Sequence, residues 1–214
     1  MSDTLREAAA DLRHLLSRGY RRSSAVRFVA DRYRLCRAER LALYRCVYPK
    51  EAAEAHLRKL VPAEDLRGAV MSIDGFNVLR TVHAALHGRP IYLCDDGFVR
   101  DISIGLRKPT FGDLVESLGL VIPCMCDLAP RSAVFVYDRP VSRSGELSKK
   151  TLELMGARGV PGTSKTSMRS DSEILSCGEV VATSDSVVIE RVSKSFDLGG
   201  YVVSKILGRP PTKI

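Results

Sequence analysis

The 214-residue chain contains no glutamine, no tryptophan and a single asparagine, Asn77. Scarcity of thermolabile amides beside abundant Arg and Val is the composition expected of a protein from a hot environment. An amide kept at one place only implies a task for Asn77. No run of about 18 apolar residues occurs, so no membrane span is expected. The opening Met1-Ser2-Asp3-Thr4-Leu5-Arg6-Glu7 lacks the basic-then-apolar order of an export signal, and the expected location is cytoplasmic. Six cysteines (Cys36, Cys46, Cys94, Cys124, Cys126, Cys177) include no Cys-x-x-Cys pair, which argues against a thiolate zinc site. Heat-adapted proteins do form intracellular disulfides, and Cys36 with Cys46 is the pair to inspect. The histidines (His14, His56, His83, His87) fall in helical stretches without a nucleophile pattern, and no Walker phosphate loop is present.

What is present is a repeated grammar: an apolar run that ends on an aspartate and then breaks. It occurs at Val70-Met71-Ser72-Ile73-Asp74, at Ala133-Val134-Phe135-Val136-Tyr137-Asp138 and at Val180-Val181-Ala182-Thr183-Ser184-Asp185. Such runs read as buried parallel strands, whose carboxyl ends line one crevice. Aspartates crowded there are costly without a cation, so the pattern predicts a hard-metal site. Taken alone, Asp74 could simply cap a helix. Gly75 would let the backbone approach a ligand, and Asn77 could hold Asp74 or a metal-bound water.

Further acids are candidates. Arg169-Ser170-Asp171-Ser172-Glu173 puts two carboxylates in the first turn of a short helix. Either Asp171 or Glu173 could be the inner ligand, or both could serve only the helix dipole. Tyr92 to Asp101 reads as a hairpin turning at Asp96-Gly97, with Asp95 and Asp96 as turn residues and Asp101 as a possible fourth ligand. Asp113 and Glu116 are weaker candidates. After Asp138 come Arg139, Ser142, Arg143, Ser144, Lys149 and Lys150, with Ser144 as the expected helix cap; together they read as a phosphate-holding lip.

Residues 1–66 are expected to form a helical domain and 67–214 an α/β domain. Helices are expected over Leu5–Leu16, from a cap at Ser23-Ser24, over Glu39–Val47 and from Ala52 to Leu60, and the tail from Gly208 should fray. Charge is lopsided: residues 13–45 hold ten Arg, no Lys and two acids, a net of +8 that equals the charge of the whole chain. Arginines such as Arg18, Arg21, Arg22, Arg32 and Arg34 therefore suggest a nucleic-acid-docking surface, the plain alternative being a solvated face or a protein interface. Tyr20, Tyr33 and Tyr44 could stack on bases or pack in the core.

Ile73-Asp74-Gly75-Phe76-Asn77, Val136-Tyr137-Asp138, Ser170-Asp171 and Ala182-Thr183-Ser184-Asp185-Ser186 together resemble the PIN-like nuclease superfamily, including its NYN branch. Residues 11–48 are similar to a prokaryotic, often archaeal, helical domain of unknown function that is found joined to a PIN-like partner. The resemblance implies a Rossmann-like three-layer α/β/α domain with a parallel sheet, preceded by a small all-α domain. It also implies an Mg²⁺ or Mn²⁺ site at Asp74, Asp138, Asp171 and Asp185, and hydrolysis of RNA phosphodiesters. Ser186 departs from the pattern, since many relatives carry a second acid there. The alternative implied is a PIN-like module that binds RNA without cutting it. A haloacid-dehalogenase-type phosphatase would need an aspartate where Phe76 stands.

Overall fold

The computed structural model describes residues 2–103 and 107–214. Four helices come first: α1 (Asp3–Ser17), α2 (Arg22–Arg32), α3 (Arg37–Cys46) and α4 (Lys50–Leu57). In α1 the periodic residues Leu5, Ala8, Ala9, Leu12 and Leu16 are buried, and the Ser2 hydroxyl oxygen accepts from the Leu5 amide. Gly19, at φ +81°, supplies the left-handed turn that ends this segment. Helix α2 starts earlier than expected, with Arg21 as its uncapped entry. Helix α4 stops at Leu57 rather than Leu60, because residues 59–61 leave the helix to pair with the backbone of Ser195.

The α/β part follows: β1 (Val70–Asp74), α5 (Gly75–Leu86), β2 (Ile91–Leu93), β3 (Val99–Asp101), α6 (Phe111–Leu128), β4 (Ser132–Asp138), α7 (Ser144–Ala157), β5 (Gly162–Ser167), α8 (Ser170–Cys177), β6 (Val180–Ala182), α9 (Ser186–Arg191), β7 (Ser195–Phe196), α10 (Leu198–Lys205) and β8 (Thr212–Lys213). Five strands form a sheet in the order β5-β4-β1-β6-β7, every pairing parallel. Period-two alternation decides which face each residue serves. Met71, Ile73, Ala133, Phe135, Tyr137, Val180 and Ala182 enter the main core with α5, α6, α7 and α10. Val134, Val136 and Val181 face the opposite way, onto Ile174 of α8 and Val188 of α9. Helices thus cover both faces, as a buried parallel sheet requires. The chain runs outward from β1 to β5 and then returns to β6, which puts the switch point between the ends of β1 and β6.

The expected Asp96-Gly97 hairpin is present, with β2 and β3 antiparallel and Gly97 at φ +81°. Two expectations fail beside it. The C-terminal tail is not frayed: β8 pairs with β2, and Ile214 is buried in the core of the helical unit together with Cys94 and Ile102. Asp96 is no exposed turn residue either. It is fully buried, bonded by two Arg100 nitrogens at 2.8 and 2.7 Å and by His56 Nδ1 of α4 at 2.9 Å. Asp95 accepts from Nε and Nη2 of Arg13 in α1 at 2.9 and 2.7 Å. All six cysteines are free, and the buried Cys46 thiol lies against Cys94, not against the exposed Cys36.

Candidate metal centre

Each aspartate of the repeated grammar reaches the same place for a local reason. Asp74 ends β1 and caps α5, its Oδ1 accepting from the Asn77 amide at 3.2 Å. The capping role and the site role therefore coexist in one side chain. Asp138 ends β4, where its Oδ1 accepts from the Ser170 hydroxyl at the start of α8. Asp171 sits in the first turn of α8, and Asp185 caps α9 through the Val187 amide at 2.9 Å. All four line one cavity of about 930 Å³, as do Asn77 and Asp101.

A hydrogen-bonded turn locks the switch point. Thr183 donates its hydroxyl to Asp74 Oδ2 at 3.1 Å and accepts the Asp185 amide at 3.1 Å. Asn77 Oδ1 accepts both the Ser184 amide, at 2.8 Å, and the Ser184 hydroxyl, at 3.0 Å. The chain's one asparagine thus ties the β6 end to the β1 end through its side chain, while its backbone amide holds Asp74. Gly75 also differs from expectation: an added Cβ would collide with the Tyr137 ring, so packing against Tyr137 demands this glycine.

Burial pushes the Asp74 carboxyl up to about 7, the Asn77 and Thr183 hydrogen bonds oppose that, and the charges of Asp185 and Asp138 add to it. Arg100 reaches the turn only through the Ser184 carbonyl, and among the described residues no arginine or lysine pairs with the Asp74 carboxylate, so like charges gathered there favour a cation. The donor set, carboxylate oxygens beside hydroxyls, fits Mg²⁺ or Mn²⁺. Spacing limits the fit: among the described residues, the four aspartates do not bring three ligand oxygens within 4.8 Å of one another. Direct contact from Asp74, Asp138 and Asp185 at once is therefore not what this geometry offers. Mg²⁺ is well suited to a looser arrangement, because it keeps several waters and takes one or two carboxylates.

Glu173 needs correction. Glu173 is absent from the cavity wall and pairs with Lys165 of β5, which holds its carboxyl below the usual range. Asp101 lines the cavity with the other candidates; its carbonyl accepts from Arg45 at 2.9 Å and its carboxylate lies 4.0 Å from the same guanidinium.

The expected phosphate lip is also partly spent. Arg143 pairs with Glu146 at 2.7 Å and stacks on Phe111 at 3.9 Å, and Lys150 pairs with Glu153. Ser144 is buried and donates to the Arg139 carbonyl, while Arg143 itself is the helix entry, so Ser144 caps nothing. Ser142 and Arg143 do line the cavity; Arg139, Lys149 and Lys150 do not. The basic rim comes instead from Arg45, Arg80, Arg89, Arg107 and Lys108. Helical spacing could have flagged Arg80, two turns into the helix that Asp74 caps. The other rim residues come from loops and from α3, where no local pattern points to the cavity.

In the helical unit, Arg32 approaches Asp11 at 3.6 Å, and Arg22 donates to the Tyr44 carbonyl while lying 4.2 Å from the Tyr48 ring centre. Arg18, Arg21 and Arg34 are exposed. Tyr33 bonds Asp11, but Tyr20 and Tyr44 are 59% and 50% exposed, so neither packs in the core. They line a second groove of about 600 Å³ that shares Arg45 and Asp185 with the first, and Ser186 faces this groove as well.

The fold and site define a two-part chain, an Arg-rich helical unit on a parallel α/β sheet with an acid-lined crevice at its switch point. The chain belongs to the family described as Domain of unknown function (DUF5616), whose model matches residues 63–201. A second model, Protein of unknown function (DUF434), matches residues 4–59. The chain is similar to the uncharacterized protein MJ0935 of Methanocaldococcus jannaschii, with 33% identity over 188 residues, 87% of this chain and 89% of that one. No solved structure matches. Among the described residues no helix is long and apolar enough to cross a membrane.

Proposed function

We propose that the crevice is the active site of a divalent-metal-dependent ribonuclease of PIN-like, three-layer type, and that the Arg-rich helical unit docks the RNA. One observation carries the reading: Asp74, Asp138, Asp171 and Asp185, drawn from four separate elements, line a single cavity under a basic rim. A bound Mg²⁺ or Mn²⁺ would supply Lewis-acid polarisation of a phosphoryl oxygen and a more acidic water for in-line attack. Asp74 and Asp185 would hold the ion directly, since Asp185 is the carboxylate that presses hardest on Asp74. Asp138 and Asp171 would act through water. Asn77 and Thr183 fix the turn that presents Asp185, so the ligands are oriented before substrate arrives. Arg80, Arg107 and Lys108 would neutralise the scissile strand. The groove with Tyr20 and Tyr44 begins at Asp185 and offers stacking surfaces to bases leaving the crevice.

The test is cleavage of single-stranded and structured RNA by the purified chain with Mn²⁺ or Mg²⁺. Loss of cleavage in Asp74→Asn and Asp185→Asn is expected, and equal cutting by variants and wild type would overturn the proposal. A second reading, an RNA-binding module that does not cut, draws on the wide carboxylate spacing and on Ser186 in place of an acid. RNA retention without products from the wild type under the same conditions would select it.

A further inference from the structure

Beside the crevice, which His83 lines, α5 and α6 bring two imidazoles and a carboxylate together. His83 and His87 lie one turn apart on α5, with ring centres 4.2 Å apart. One ligand atom from each of His83, His87 and Asp113 falls within 4.8 Å of the others, and among the described residues no other trio does so. His83 is 2% exposed, yet neither of its ring nitrogens has a hydrogen-bond partner, and it lines the cavity. A buried imidazole left without partners costs about 1–3 kcal/mol, so such groups ordinarily have something to bind.

The neighbours are prepared for coordination. His87 Nδ1 lies 3.1 Å from the His83 carbonyl; with the proton on Nδ1, the Nε2 lone pair is left free. Asp113 Oδ2 accepts the Thr110 amide at 2.6 Å, which fixes the carboxylate and leaves Oδ1 open.

We propose that His83, His87 and Asp113 form a transition-metal site of the Zn²⁺ class, distinct from the aspartate cluster and open on its fourth side to the crevice. Two imidazoles with one carboxylate select Zn²⁺ and its late first-row neighbours over Mg²⁺, which prefers oxygen. Tetrahedral geometry at a Zn–N length of about 2.05 Å needs ligand atoms about 3.3 Å apart, so binding would draw the three side chains in from separations of up to 4.8 Å. The site stands whether or not RNA enters the crevice.

The experiment uses the full chain, stripped with chelator and titrated with Zn²⁺ by calorimetry and with Co²⁺ by visible absorption. Expected are one tightly bound ion per chain, the d–d bands of low-coordinate cobalt with nitrogen and oxygen ligands, and affinity for that ion lowered about 100-fold in His87→Ala and in Asp113→Asn. Asp74→Asn should bind as wild type does, which separates this site from the proposed nuclease centre. His87 is exposed, so its variant keeps the fold; an unchanged circular-dichroism melt in the absence of metal checks this. Absence of binding by wild type, unaltered affinity in both variants, or a thiolate-to-cobalt charge-transfer band would overturn the proposal.

Discussion

Replacing Asp74 by Asn removes the charge that the crevice accommodates least well. Its carboxyl is pushed from the usual 3.8 to about 7, and at about 1.4 kcal/mol per pKa unit this sets a ceiling of about 4 kcal/mol. The side chain borders an open cavity, where water and counter-ions screen the charge. The Thr183 hydroxyl also loses its acceptor, at a cost of about 1 kcal/mol. The net expected gain is therefore about 1–2 kcal/mol. Because the folded-state pKa is raised, the native chain binds the proton more tightly than the unfolded chain between pH 3.8 and about 7. Wild-type stability then falls as pH rises through that window and stays low above it. Asp74→Asn should melt about 3–6 °C above wild type at pH 8 and merge with it below about pH 4. Asp197, buried and raised to about 6, slopes the same way in both proteins, so the difference between melting curves is the quantity to read. Mg²⁺, which imidazoles do not favour, should raise the wild-type melting point at pH 8 and leave the variant unmoved. A variant less stable than wild type at pH 8, or equal Mg²⁺ shifts in both, would refute the account.

Asp96→Asn leaves Arg100 charged and buried, and should cost about 3–5 kcal/mol in urea unfolding; a loss below about 1 kcal/mol would show that the pair is not desolvated as described. Asn77→Ala frees the Ser184 amide and hydroxyl and should reduce Mn²⁺-dependent cleavage at least tenfold with little change in RNA binding, as read by separate kcat and KM measurements. Tyr20→Ala with Tyr44→Ala should weaken retention of single-stranded RNA by about 1–3 kcal/mol per lost stack, seen in fluorescence anisotropy, while a duplex is scarcely affected. Cys36→Ser should leave the non-reducing gel mobility and the melting point unchanged, since Cys36 is a free, exposed thiol.

Much of the α/β part was legible because its signals are local. Strands that end on aspartate, Asn77 alone among amides and the Asp96-Gly97 turn each state their structure within a few residues. The cavity's aspartates were readable for the same reason, since a parallel sheet gathers its strand ends without further instruction. What escaped depends on contacts that only the assembled fold makes. Glu173 looked like a ligand until Lys165 on the neighbouring strand proved to be beside it. Asp96 looked like a turn residue because nothing local announces that His56, forty positions earlier, and Arg100 enclose it. His83 and His87 carried a signal in their spacing of four, but Asp113, the third member, is joined to them only by the packing of α5 on α6.

The same long-range contacts bear on how the two family matches meet. The boundary between residues 59 and 63 suggests separable units, yet the core of the helical unit is closed by Cys94, Ile102 and Ile214 from the other side. Arg13 of α1 holds Asp95, and His56 of α4 holds Asp96. Arg100, bonded to Asp96, donates its Nε to the Ser184 carbonyl at 2.7 Å, and Ser184 in turn is held by Asn77. An unbroken chain of hydrogen bonds thus runs from α4 to the turn that presents Asp185. Deleting residues 1–59 would uncover a buried ion pair and strip one support from that turn. Such a truncation should give a chain that aggregates or binds divalent ions far more weakly than the whole, as calorimetry with Mg²⁺ would read. Full retention of fold and Mg²⁺ affinity in the truncated chain would show instead that the crevice is organised by the sheet alone.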